Sequence, residues 1–152
     1  MICVGNALRG DDAVGLAVAR QLAGALPDGV ELLEHEGEPT ALIDVLDGAD
    51  AVWLVDAVSS GAPAGTVHRL DAGVAELPVE LFRGSTHHVG LAEAVELARV
   101  LGRLPKRTVV FGIESASFEL GAALSPAVAA ASEHVAAAVR EEVERARASA
   151  DA

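Results

Sequence analysis

The chain has one cysteine, Cys3, in 152 residues. That count excludes an internal disulfide and any cysteine-rich zinc or iron–sulfur site, and a lone thiol fits a reducing compartment. Positive charge is also scarce. Lys and Arg number 11 against 23 Asp and Glu, a formal net charge of −12 with His neutral. Such a surface repels phosphate backbones, so no nucleic-acid partner is expected. No stretch approaches the roughly 20 apolar residues that span a bilayer. Residues 1–5 have no basic region and too few apolar residues for a signal peptide. A soluble, cytoplasmic protein without a membrane partner is expected. Repeats, linkers and low-complexity blocks are missing too, apart from an alanine-rich C-terminal stretch. What is present makes a core: 51% of residues are hydrophobic and 22% charged. Residues 1–152 are therefore read as one domain.

Strand and helix patterns alternate along the chain. Residues 1–4 form a short apolar run that reads as a buried strand ending at Gly5-Asn6. From about Asp12 to Leu26, Val14, Val18, Leu22 and Leu26 recur at helical spacing, and Pro27-Asp28-Gly29 stops that helix. Val30 to Leu33 reads as a second strand, and Pro39 to Leu46 as a short helix with proline in its first turn. Ala51 to Val55 is the clearest buried strand and stops at Asp56. Thr66 to Leu70 alternates like a half-exposed strand, and Asp71 to His88 is irregular. A helix over Val89 to Leu101 is closed by Gly102 and Pro105, and Thr108 to Ile113 is another apolar strand, ending at Glu114. Ser125-Pro126 supplies an N-cap and first-turn proline for a long helix to about Arg147, with Val128, Val135, Val139 and Val143 as its core stripe. This order predicts a three-layer α/β domain, a mostly parallel twisted sheet with helices on both faces.

Ligands of open α/β sheets bind beyond the carboxyl ends of the strands, so the residues following each strand carry the chemistry. Asn6, Asp11 and Asp12 follow the first strand, Asp56 follows Trp53-Leu54-Val55, and Glu114 follows Val109-Val110-Phe111. Thr86-His87-His88 precedes a helix. Two carboxylates and an imidazole in one crevice would suit zinc, nickel or a similar borderline ion with positions open for substrate. Each residue also has a structural reading. Asp11 or Asp12 would cap the following helix, Asp56 would close its strand through an Asx-turn, and His87 would cap a helix or pack under a loop. Glu114 would pair with Arg9 or Arg83. His35, His68 and His134 lie on ordinary patterns and carry no assigned role, while Cys3 and Trp53 read as core. Gly5, Gly10 and Gly15, five apart, do not form the tight G-x-G-x-x-G turn. The consecutive acids there would repel a pyrophosphate, so no dinucleotide cofactor is expected.

The order of the motifs is more specific than any one of them. Gly5-Asn6-Ala7-Leu8-Arg9-Gly10-Asp11-Asp12-Ala13-Val14-Gly15 resembles the opening signature of the hydrogenase maturation peptidases, which trim the C-terminus of nickel–iron hydrogenase large subunits. Val55-Asp56-Ala57 resembles the strand-ending aspartate of that family, and His87-His88-Val89-Gly90-Leu91 its histidine motif. Gly112-Ile113-Glu114, Ser117-Phe118-Glu119-Leu120-Gly121 and Leu124-Ser125-Pro126 resemble its C-terminal signature. Together these span residues 5 to 126. Two departures stand out. Ala13 occupies a position where many members have glycine, and the chain begins four residues before Gly5, where relatives usually carry a longer first strand.

The resemblance implies that Asp12, Asp56 and His87 form the catalytic and metal-binding set. Asp12 then stands where many relatives have Glu, and Asp11 remains the helix cap. It implies nickel as the ion, already held by cysteine thiolates of the hydrogenase large-subunit precursor, with zinc or cadmium as surrogates. The activity implied is endopeptidase removal of a C-terminal extension, the ion polarising the scissile carbonyl and activating water and a carboxylate accepting the proton. Two competitors remain open: a non-catalytic adaptor that binds the metal-loaded precursor, and a generic metal-dependent hydrolase on the same scaffold.

Overall fold

The structure, a computed structural model, describes residues 1–5, 10–82 and 90–152. The elements are β1 (Ile2–Val4), a one-turn 3₁₀ helix (Gly10–Ala13), α1 (Val14–Leu22), β2 (Leu33–His35), α2 (Pro39–Leu46) and β3 (Ala51–Val58). There follow β4 (Val67–Asp71), α3 (Val79–Phe82), α4 (Leu91–Val100), β5 (Arg107–Glu114) and α5 (Pro126–Ala150). The sheet runs in the order β2-β1-β3-β5-β4. All neighbours are parallel except β4, which lies antiparallel to β5 at the edge.

Strand alternation divides the core in two. Trp53, Val55 and Ala57 of β3, with Val109, Phe111 and Ile113 of β5, join α1 and the Val128–Val135–Val139–Val143 stripe of α5 on one face. Val52, Leu54 and Val58, with Val110, pack against α2, α3 and α4 on the other. A strand covered on both faces needs apolar side chains at successive positions, which is why β3 and β5 read as near-continuous hydrophobic runs. Each such side chain, fully buried, contributes about 1.5–3 kcal/mol. The expected α/β architecture with helices on both faces is thus what the chain adopts.

Local chemistry explains most boundaries. Pro39 opens α2 with its fixed φ, and the Glu38 side chain accepts hydrogen bonds from the Thr40 and Ala41 N–H groups at 3.0 and 2.7 Å, capping the helix. Several expectations shift. The second strand is Leu33–His35, not Val30 to Leu33. Parallel pairing of Ile2 with Leu33 sets its register, while Val30 closes a turn by donating to the Pro27 carbonyl at 3.2 Å. The first helix begins at Val14 after the 3₁₀ turn, and it ends at Leu22. The stretch from Asp71, expected to be irregular, contains the short α3. Asp56 and Glu114 lie inside their strands, not beyond them. Pairing of β3 with β5 continues through Asp56↔Gly112 to Val58↔Glu114, because a long partner strand keeps the ladder going past the apolar run.

Candidate active site

From β1 the chain turns to β2 on one side, and β3 then pairs on the other side of β1. That reversal is the crevice where open α/β sheets bind ligands. Asp12, in the 3₁₀ turn after β1, and Asp56, on β3, both sit there, and each is fully buried.

Glycines let the turn lie close against the sheet. A Cβ on Gly5 would stand 2.4 Å from the Asp12 carbonyl oxygen, and one on Gly15 would stand 2.0 Å from the Val4 carbonyl oxygen. Only residues without a side chain permit that approach. The regular glycine spacing of this segment therefore serves backbone-to-backbone packing.

Asp56 is in an unfavourable position for a carboxyl group. Its Oδ1 accepts from the following Ala57 N–H at 2.8 Å, which is not the Asx-turn geometry expected from the sequence. Its Oδ2 is buried and has no hydrogen-bond partner among the described residues. Burial first, and the Asp12 carboxylate beside it second, push the Asp56 carboxyl well above its usual range, with the Ala57 N–H opposing them. Two acids in one buried crevice are what a cation would relieve, and both offer hard oxygen donors.

His87 lies outside the described residues, as do Asn6, Arg9, Arg83, Thr86 and His88. The described chain stops at Phe82 and resumes at Gly90, and these points are close: a Cβ on Gly90 would stand 3.6 Å from the Phe82 carbonyl oxygen. Next to Phe82, the Leu81 carbonyl accepts from the Ser59 N–H, just past the end of β3, at 3.1 Å. Among the described residues no three His, Cys, Asp or Glu side chains converge as a metal site.

Asp11 and Glu114 have partners that sequence reasoning missed. Asp11 caps no helix. The N-cap of α1 is Ala13, without a side-chain bond, and the Asp11 carboxyl turns instead to the segment before α5. It accepts from the N–H groups of Ala116 (2.7 Å), Ser117 (3.1 Å) and Ser125 (2.8 Å). Ser125 occupies the N-cap position of α5, but its hydroxyl makes no capping bond. That hydroxyl lies 3.1 and 3.0 Å from the two Asp11 carboxyl oxygens. Glu114 accepts from the Ser60 N–H (2.6 Å), the Ser60 hydroxyl (2.9 Å) and the Gly61 N–H (3.1 Å), and it pairs with His68 Nε2 at 3.1 Å. Burial pushes the Glu114 carboxyl up, but these donors together outweigh it and hold it below the usual range. Strand pairing sets His68 of β4 opposite Gly112, on the same sheet face as Glu114 two residues further along β5.

A cavity of about 570 Å³, lined in part by Met1, Val30, Trp53, Arg107 and Arg147, lies at the other end of the sheet. It is formed at the amino ends of the strands, away from both aspartates.

The fold and the acid pair define an α/β protein with an oxygen-donor crevice at its switch point. Comparison with known proteins narrows this class. The sequence model of the HycI hydrogenase maturation protease family matches residues 16–142, a span that includes Asp56 and begins just after Asp12. The Hydrogenase 2 maturation protease of Escherichia coli K12 is 32% identical over 146 residues, covering 91% of this chain and 88% of that protein. The chain belongs to the hydrogenase maturation protease family. The hydrogenase expression/formation protein HupD of Rhodobacter capsulatus is 31% identical over 133 residues, covering 83% of this chain and 61% of its own length. The chain spans 58–67% of the length of the HupD proteins it matches. The solved structure of the hydrogenase maturating endopeptidase HybD from E. coli superposes with a TM-score of 0.70 at 30% identity, over 93% of this chain and 91% of that one.

Proposed function

We propose that this protein is the endopeptidase that removes a C-terminal extension from the nickel-loaded precursor of a nickel–iron hydrogenase large subunit. Asp12, Asp56 and His87 form its working set. The observation that carries the reading is the buried Asp12–Asp56 pair at the switch point, with Asp56 Oδ2 lacking a donor among the described residues. Membership of the maturation protease family supports the substrate class.

Burying two carboxyl groups together costs several kcal/mol unless a cation compensates. In this reading the cation arrives with the substrate, as nickel held by precursor thiolates, and zinc or cadmium serves as a surrogate in its place. When bound, it supplies positive charge that polarises the scissile carbonyl. The protein then contributes hard oxygen ligands from Asp12 and Asp56 and an imidazole from His87. One carboxylate of the set accepts the proton of the attacking water, and the amide nitrogen leaves protonated. Such a set needs no cysteine, in keeping with a chain whose one thiol, Cys3, is buried in β1. Burial pushes that thiol up to about 12, so it is inert as a nucleophile or ligand. The reading places the protein in the cytoplasm. Among the described residues no helix is long and apolar enough to cross a membrane.

The test is a mass-spectrometric cleavage assay on nickel-loaded and nickel-free precursor. Loss of a C-terminal peptide from the loaded form alone, abolished by His87→Ala, is the expected result. Copurification with an uncleaved, matched precursor would overturn the peptidase reading in favour of an adaptor. Hydrolysis of small esters or peptides without precursor would instead mark a generic hydrolase.

A further inference from the structure

We propose that Asp11 is a positioning residue for this site. Its carboxyl group clamps the segment before α5 onto the turn that carries Asp12, and thereby sets where Asp12 stands relative to Asp56. The inference rests on the reading of Asp12 and Asp56 given above.

Asp11 and Asp12 are neighbours in a one-turn 3₁₀ helix, where successive side chains diverge by about 120°. They face different partners. Asp12 is close enough to β3 for its charge to act on Asp56. Asp11 turns to residues more than 100 positions further along the chain. Its two oxygens collect three backbone N–H groups and one hydroxyl, and its own N–H donates to the Ser117 carbonyl at 2.9 Å. Gly10 completes the joint. With φ at +55° and only 2.8 Å between a Cβ there and the Ser117 carbonyl oxygen, no other residue lets the turn lie so close.

The turn is therefore fixed on two sides, by β1 through Gly5 and Gly15 and by the 116–125 segment through Asp11. Asp12 is carried between them. A group that orients a ligand through fixed hydrogen bonds typically changes metal affinity by about 10–100-fold when removed. The clamp thus couples the start of α5 to a carboxyl group in the crevice.

The experiment titrates the full-length protein with Co(II) alone, reading affinity by calorimetry and coordination by the visible absorption of the bound ion. Ser125→Ala removes only the hydroxyl and leaves three N–H donors in place. Asp11→Asn keeps the shape but sets an amide NH₂ against N–H donors, which is the larger disturbance. Ser132→Ala is the structural control, since it breaks the Gln21–Ser132 bond between α1 and α5 far from the crevice. The expected result is a loss of Co(II) affinity of about 10-fold or more in Asp11→Asn. A smaller loss is expected in Ser125→Ala, with an altered absorption band in both and neither change in Ser132→Ala. Wild-type affinity and spectrum in Ser125→Ala and Asp11→Asn would overturn the clamp. If Asp11→Asn does not fold, Ser125→Ala decides alone. Wild-type protein that binds no Co(II), or binds it equally well as Asp56→Asn, would instead sink the ligand set and the clamp with it.

Discussion

Replacing Gly15 by alanine sets two effects of opposite sign against each other. Gly15 lies in the first turn of α1 and is buried. Helix propensity alone predicts that Gly15→Ala stabilises by about 1 kcal/mol. Packing predicts the reverse. The new Cβ would lie 2.0 Å from the Val4 carbonyl oxygen and 2.9 and 3.0 Å from Val4 C and N, where comfortable separations are about 3.5 Å. Both colliding parts are backbone, so no rotamer change relieves the contact, and α1 must shift away from β1 by about 1.5 Å. Overpacking costs about 1–3 kcal/mol even where side chains yield, so the upper end applies here. The net expectation is a loss of about 2 kcal/mol or more. For a chain of this size that lowers Tm by about 4–8 °C and moves the urea midpoint down by about 1 M. The shift also carries Asp12 away from Asp56, so precursor cleavage should fall with stability. Gly24→Ala is the comparison: nothing lies within 4 Å of its Cβ, but φ is +73°. It should cost about 1–2 kcal/mol through left-handed strain and leave cleavage intact. A Gly15→Ala protein with an unchanged or raised Tm would refute the argument that this glycine exists for the approach of α1 to β1.

Three further outcomes are expected. Asp56→Asn removes the charge that burial and the neighbouring Asp12 disfavour and should raise stability at pH 7 by about 1 kcal/mol or more, the equivalent of one pKa unit, while abolishing cleavage; a destabilised variant in urea melts would contradict this. Because the folded-state pKa of Asp56 is raised, the wild type should lose stability as pH rises from about 4, where the unfolded carboxyl ionises, through the folded value, and Asp56→Asn should lack that decline. Parallel pH–stability curves for the two proteins would rule it out. Glu114→Gln keeps an acceptor for the Ser60 and Gly61 N–H groups but sets its amide NH₂ against the Ser60 hydroxyl and His68 Nε2, and should cost about 1–3 kcal/mol at pH 7. The folded-state pKa of Glu114 is lowered, so its contribution is present above about pH 4.3 and lost as pH falls through the folded value; a cost that persists undiminished in acid would count against the Ser60–His68 network.

Element type was legible wherever one physical cause dominated. The β3 and β5 runs follow from burial on both faces, α2 from Pro39 at its first turn, and α5 from a valine stripe at helical spacing beneath an alanine-rich surface. Register was less legible. Whether Val30 or Leu33 enters the sheet depends on where Ile2 finds its partner, and no local pattern encodes that pairing. The extension of β3 through Asp56 had the same origin, since a polar residue reads locally as a strand end until a partner strand continues the ladder beside it.

The candidate site divides in the same way. The residue types that suit a cation, and their places after the strands, can be read from the chain alone, because strand ends at a parallel sheet's carboxyl edge are where α/β folds collect chemistry. The order of the signature segments carries the family. Only the folded chain decides what each acid does. Asp11, Asp12 and Glu114 are all acids next to strands, and nothing local separates a clamp, a crevice carboxyl and a loop anchor. The Asp11 partners lie more than 100 residues downstream. Glu114 reaches Ser60 because β3 runs parallel beside β5, and His68 because β4 returns antiparallel along it. Hydrogen-bond donors and burial are properties of neighbours in space, and those neighbours exist only once the sheet has closed over them.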